Sequence, residues 1–213
     1  MTRAVAVFLA LVGAISACTP KAGEKTDPVV RAMLDRAGPG SPFADASSAS
    51  APAIVHRPSG MICNLPRNGA FDFGTFPPEA VNEGAYCSTA DDGVVLTVMA
   101  IRFAKPAALD QVFADALASG AGKATPRRWQ GAPSADDTEG GNVRIARLEG
   151  VVNGEPAYLR IAVAEAHGWY LQQFATAPAE KAGDAETHAG QQWKRSLSAF
   201  SAARASPGPA RRE

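Results

Sequence analysis

The sequence predicts an α+β fold: an antiparallel β-sheet of about five to six strands packed by two helices, in the order strands, helix, three-strand meander, helix. Three observations predict it. Tight-turn signals join several β-rich segments, Asn153-Gly154 being the clearest of them. Two segments carry one-sided apolar stripes of helical period, Leu109/Val112/Phe113/Leu117 and Trp193/Leu197/Phe200. Setting the polar flanks aside leaves about 150 residues, enough for one domain with a real core. One-sided helices must bury their stripe, so the sheet and helices should form two or three layers.

The elements follow in order. The folded domain should begin near Ile54, with Met61–Leu65 as a short strand. A Pro/Gly-rich excursion through Phe71, Phe73 and Phe76 ends at Pro77-Pro78. Ala85–Thr89 is a strand turning at Asp91-Asp92-Gly93, where the aspartates serve as turn residues. Val94–Phe103 is the strongest strand, apolar on both faces and therefore central. A helix then starts with Pro106 in its first turn and is capped by Gly120. After a polar loop, Val143–Val152, Ala157–Glu165 and Trp169–Thr176 form the meander, and Glu186–Ala203 the closing helix.

Segment 18–53 is rich in Ala, Ser, Pro, Gly and charge, and reads as a mostly disordered tether. A flexible coil of about 35 residues would reach roughly 30–35 Å. Within it Asp27-Pro28 is a helix start, and Val29, Val30, Met33 and Leu34 share one side before Gly38-Pro39, so a short helix over 28–37 is expected. A helix this short needs something to dock on, either its own domain or a partner. Residues 204–213 read as a disordered tail.

The first residues set the address. Arg3 precedes the apolar run Ala4–Ile15, which is too short to span a bilayer but fits a secretory signal. The run closes on Ile15-Ser16-Ala17-Cys18. This ending resembles a bacterial lipobox, which implies a signal peptide over 1–17 and a lipid on the Cys18 thiol. By resemblance to Gram-negative lipoprotein sorting, Thr19 after the cysteine points to the outer membrane, facing the periplasm. The alternative is an ordinary cleaved signal with Cys18 unmodified. With Cys18 assigned to lipid, Cys63 and Cys87 remain, and an even remainder in an oxidising compartment suggests a disulfide between them. Their spacing is not that of a CxxC redox pair.

Val94–Phe103, the helix from Pro106, and Gly154, Tyr158, Gly168-Trp169-Tyr170, Trp193 and Phe200 together resemble the PsbP-like fold. That fold is named for an extrinsic photosystem subunit and shared by assorted bacterial lipoproteins. The resemblance covers about 110 residues and is topological, without a fingerprint motif. It implies binding or assembly roles rather than a defined chemistry.

Charge and motifs bound the chemistry. Lysine plus arginine equals aspartate plus glutamate at 21 each, so there is no electrostatic footprint for nucleic acid. His56, His167 and His188 lack metal-ligand spacing, and no metal site or cofactor is assigned. His56 could act as a base on Ser59, yet no orienting acid is legible. Gly120–Thr125 fails the phosphate-loop spacing, since Leu117 stands where the first glycine belongs. Lys123, Arg127, Arg128 and Trp129 form a basic loop offset by Asp136, Asp137 and Glu139. Trp169-Tyr170 could line a groove or pack under a helix.

The expectation is a lipid-anchored envelope protein with a binding or assembly-accessory role, attached to the membrane through Cys18 and able to take an envelope protein as partner, with no catalytic residue assigned. Two alternatives stay open. One is an envelope hydrolase with a site near His56. The other is a small-molecule or lipid carrier with an apolar pocket lined by Phe113, Trp169 and Trp193.

Overall fold

Three tight turns fix the registers of the main sheet. Asp92-Gly93, Asn153-Gly154 and His167-Gly168 each place two successive residues at positive φ: 45° and 76°, 52° and 90°, 54° and 75°. This is the two-residue hairpin geometry whose twist matches that of the flanking strands. The computed structural model describes residues 27–48, 51–66, 68–77, 80–121, 126–137 and 141–203. The expected signal peptide 1–17, Cys18 and the expected tail 204–213 lie outside the described residues.

The described elements are α1 (Pro28–Ala37), β1 (Phe43–Asp45), β2 (Ala53–His56), β3 (Met61–Asn64), β4 (Ala70–Thr75), β5 (Glu83–Asp91), β6 (Val94–Arg102), α2 (Leu109–Ala121), β7 (Arg127–Arg128), β8 (Val143–Val152), β9 (Glu155–Ala166), β10 (Trp169–Pro178) and α3 (Ala182–Ala202). The fold is α+β with antiparallel sheets. The larger holds seven strands in the order β4-β5-β6-β10-β9-β8-β7, and β1-β2-β3 form a separate sheet.

The sheet is thus wider than the five to six strands expected. The excursion through Phe71 and Phe73 becomes the edge strand β4, with Phe71 and Phe73 packed against the core on alternate positions. Residues Arg127–Arg128 add a two-residue strand at the other edge. Met61–Asn64 pairs with β2 within the small sheet. The Cys63–Cys87 disulfide therefore joins β3 of one sheet to β5 of the other, with Cα atoms 6.2 Å apart.

The tether expectation is corrected over residues 27–48. The Asp27 carboxylate accepts from the Val29 N–H at 2.9 Å and starts α1. Val30, Met33 and, from β1, Phe43 are buried in the same core as Ile54, Met61 and Trp193. Three well-placed apolar side chains dock a segment whose overall composition is polar. The folded unit accordingly reaches back to Asp27 rather than beginning near Ile54.

The helices cover opposite faces of the main sheet. Val112 and Ala116 of α2 pack on Ile161, Val163 and Tyr170. On the other face α3, α1 and the small sheet share one core. β9 lies between these layers and is buried from Ala157 to Ala164. Pro106 precedes α2 instead of lying in its first turn, and Gly120 is inside the helix rather than its cap. A Cβ on Gly120 would sit 2.7 Å from Ile161 Cδ1, so the glycine permits close approach of helix to sheet. The outer edge of β3 is closed by α3: Gln192 Nε2 and Ser196 Oγ donate to the Ile62 carbonyl at 2.7 and 2.8 Å. Such side-chain cover removes an open strand edge.

Candidate functional site

A buried cluster of ionisable groups joins α3 to β8, β9 and the loop between β7 and β8. Arg160 sits mid-strand in β9 with no exposed surface, and Arg147 stands directly opposite it on β8. Like charges in that register repel. Two carboxylates resolve the conflict. Asp137, in the loop between β7 and β8, takes both Arg160 terminal nitrogens, at 2.6 and 2.8 Å, and also bonds Arg147. Glu186 of α3 accepts from Arg147 Nε at 2.7 Å and lies 3.4 Å from Arg160 Nη1.

The remaining valences are met as well. Ser134 N–H donates to Glu186 Oε1 at 2.9 Å, and the Tyr158 hydroxyl donates to Glu186 Oε2. Arg160 Nε donates to Gln173 Oε1 at 3.0 Å, and Gln173 Nε2 passes the chain on to the Ala189 carbonyl. Burial alone would raise the Glu186 pKa, but the Tyr158 hydroxyl, both guanidinium groups and the Ser134 N–H hold it below its ordinary value. Burial, followed by the Glu186 carboxylate, pushes the Tyr158 hydroxyl far above its ordinary value. The four charges cancel. What this arrangement does is pin the loop carrying Ser134 and Asp137 onto α3. Gly190 makes room for that loop: a Cβ there would lie 2.1 Å from Ser134 Oγ. Trp129, at the loop's start, packs edge-on against Tyr158, with ring centroids 5.0 Å apart.

His56 and Ser59 do come together, with Nδ1 2.8 Å from Oγ. Ser59 Oγ also accepts from the Met61 N–H at 3.2 Å, which ties down the turn between β2 and β3. Only 3% of His56 and 2% of Ser59 is exposed. The imidazole lies between the rings of Phe43 and Trp169, and burial lowers its pKa from 6.5 to about 4. The pair, as placed, is a neutral clamp in the core rather than an exposed nucleophile and base.

The other sequence candidates disperse. His167 stands in the β9–β10 turn with Nε2 3.2 Å from the Ser201 carbonyl, and His188 lies on α3 beside a groove with Asn64 and Asp91. Asp92 pairs with Lys181 at 2.5 Å. Lys123 and Glu139 lie outside the described residues. Asp137 offsets Arg147 and Arg160, not the basic strand β7, whose Arg127 pairs with Glu149 instead. The proposed pocket lining of Phe113, Trp169 and Trp193 is corrected. Phe113 belongs to the α2 layer and the two tryptophans to the α3 layer, so the sheet separates them. The Trp193 indole N–H is buried without a hydrogen-bond partner among the described residues. Among those residues no group of three or more histidine, cysteine or acidic side chains could hold a metal ion.

An open groove lies at the β4 edge of the main sheet. Its volume is about 300 Å³, and it lies among α1, β1 and β4, with Phe43, Phe71 and Phe73 on its walls and Arg36 and Asp72 among its polar lining. Asp72 accepts from the Tyr86 hydroxyl at 3.1 Å. β4 pairs with β5 on one side, and its other edge carries no strand among the described residues.

No protein-family model and no curated protein matches the chain. Among solved structures it is similar to PA94 from Pseudomonas aeruginosa, a protein of unknown function. The identity is 11%, over 79% of this chain and 99% of that one, with a TM-score of 0.30. A protein from Mycobacterium smegmatis is 14% identical over 83% of this chain and 97% of its own, at a TM-score of 0.32. CalU16 from Micromonospora echinospora is 13% identical over 67% and 88%, at 0.24. Likeness at this level carries no functional argument.

Proposed function

We propose that this is a lipid-anchored protein of the bacterial cell envelope, held through Cys18 and acting by binding, as an assembly or accessory factor. The anchor reading is supported by Ile15-Ser16-Ala17-Cys18, with the outer membrane facing the periplasm favoured by Thr19. The order of strands, helix, meander and helix supports kinship with the PsbP-like fold. The observation that carries the binding reading is the groove beside β4. An unpaired strand edge offers backbone hydrogen bonds to an extended segment, and flanking aromatic walls offer side-chain pockets. The class of occupant is therefore an extended stretch of an envelope protein.

A photo-crosslinking residue placed at Phe71 in the intact protein, irradiated in its own envelope, tests this. A single stoichiometric adduct at Phe71, absent when the same residue is placed at Arg128 on the opposite edge, is expected. Equal, diffuse labelling from both positions would remove the groove from consideration. Fractionation of Cys18→Ala tests the anchor: the variant should leave the membrane fraction.

A further inference from the structure

We propose that the outward face of α1 rests on the membrane that holds the protein, with the anionic headgroups of that bilayer as its partner. This rests on the reading that Cys18 carries the anchor. The first argument is chain length. The folded unit includes Asp27, so at most Thr19–Thr26 separate Cys18 from it. Nine backbone steps extend at most about 30 Å. A domain of this size has a radius of gyration of roughly 15 Å, so the leash is shorter than the domain is wide. Composition alone predicts a tether of about 35 residues. The docking of α1 and β1 uses up most of it and leaves the start of α1 facing the bilayer.

The second argument is what that face presents. Val30 and Met33 turn into the core, which leaves Val29, Arg31, Ala32 and Arg36 outward. Val29 is 38% exposed at the end nearest the anchor. Neither Arg31 nor Arg36 makes an ion pair among the described residues, and Lys21 and Lys25 add cations in the leash. Glu24 and Asp35 oppose them, while the Asp27 carboxylate is engaged as the helix cap. Cations beside an apolar contact suit an interfacial position at an anionic surface.

The test couples the chain from Cys18 onward, its Cys63–Cys87 disulfide intact, through the Cys18 thiol to a maleimide phospholipid in vesicles. The vesicles are phosphatidylcholine alone or mixed with phosphatidylglycerol. Phenylglyoxal modification of each arginine is then followed by peptide mass spectrometry. Arg31 and Arg36 should react about fivefold more slowly on the anionic vesicles, the factor expected for one cation at such a surface. Arg127 and Arg128, on the far edge of the sheet, should not change. Equal rates for Arg31 and Arg36 on both vesicles, or protection of Arg127 and Arg128 instead, overturns the proposal. The coupling supplies the anchor chemically, so that result concerns the surface alone. Failure of the anchor reading shows separately, as Cys18 without lipid mass in protein taken from its own envelope.

Discussion

Arg147 and Arg160 face each other directly across β8 and β9, two guanidinium groups in one register position, and both are neutralised by the same two carboxylates. Neither arginine is tolerable there without Asp137 and Glu186, and neither carboxylate without the arginines. Removing one member of such a buried set leaves an uncompensated charge, at a cost of about 3–5 kcal/mol. Arg160→Met should therefore lower stability by that amount in urea unfolding. The double variant Arg160→Met/Glu186→Gln should fall short of the sum of the singles by about 1–3 kcal/mol, because it restores neutrality. Additive losses would show that the four groups do not act as a unit.

The same cluster makes the loop's position depend on a glycine. Ser134 presses against Gly190 of α3, where an added Cβ would also lie 2.4 Å from Ser134 Cβ. Gly190→Ala must displace the loop and loosen Asp137 from Arg160. Overpacking of this kind costs about 1–3 kcal/mol. Hydrogen exchange should quicken across residues 126–137 and not across the β9–β10 hairpin. Unchanged exchange in the loop would contradict the contact.

His56 gives the fold a defined pH response. Its folded pKa, about 4, lies below the 6.5 of the free side chain. Between those values the unfolded chain binds a proton that the native state refuses, so stability rises with pH across that window. It is complete above 6.5 and lost progressively as pH falls towards 4, by roughly 3 kcal/mol at about 1.36 kcal/mol per unit. Glu186 acts in the opposite chemical sense but the same pH direction. Its depressed pKa contributes stability that is lost only below its ordinary 4.5. His56→Gln should flatten the stability profile between pH 4 and 6.5 and leave the fall below 4.5 in place. A profile unchanged by the substitution would place the titration elsewhere.

Local signals were legible where one residue pair decides the geometry. Asn153-Gly154 and His167-Gly168 announce their turns because few other residues accept positive φ twice in succession. Gly120 is ambiguous in sequence, because a glycine near the end of an apolar stripe suits a cap and a close contact equally well. Only the position of Ile161 decides between them. Phe71 and Phe73 alternate as strand residues do, but the surrounding prolines and glycines masked the pattern. Arg160 interrupts the apolar run Ala157–Ala164, which is a signal in itself. Its partners lie 23 residues before it and 26 after it, and no local spacing reveals them.

The disulfide joins the two sheets, so its loss should be felt between them rather than within either. Cys63 and Cys87 are 24 residues apart, and closing a loop of that length contributes about 3 kcal/mol on the chain-entropy estimate. Cys63→Ala/Cys87→Ala should lower stability by about that much. Unreduced protein should show no alkylatable thiol at Cys63 or Cys87. Free thiols at these two positions before reduction would contradict the bridge.

The boundary of the folded unit can be tested by truncation. If residues 27–53 were a tether, a chain starting at Ile54 would be as stable as one starting at Asp27. In the structure that cut removes Val30, Met33 and Phe43, which are 0%, 2% and 5% exposed, from the core they share with Ile54 and Met61. It also removes β1 and so opens the edge of β2. Each buried apolar side chain contributes about 1.5–3 kcal/mol. Losing three of them approaches the whole stability of an ordinary domain, about 5–15 kcal/mol. The chain from Ile54 should therefore lack a cooperative melt and aggregate through its exposed strand, whereas the chain from Asp27 should unfold as sharply as the longer protein. A cooperative transition in the shorter chain would detach α1 and β1 from the core and return them to the leash. The membrane contact proposed for α1 would then lose its geometric basis, because the longer reach would free the domain from the bilayer.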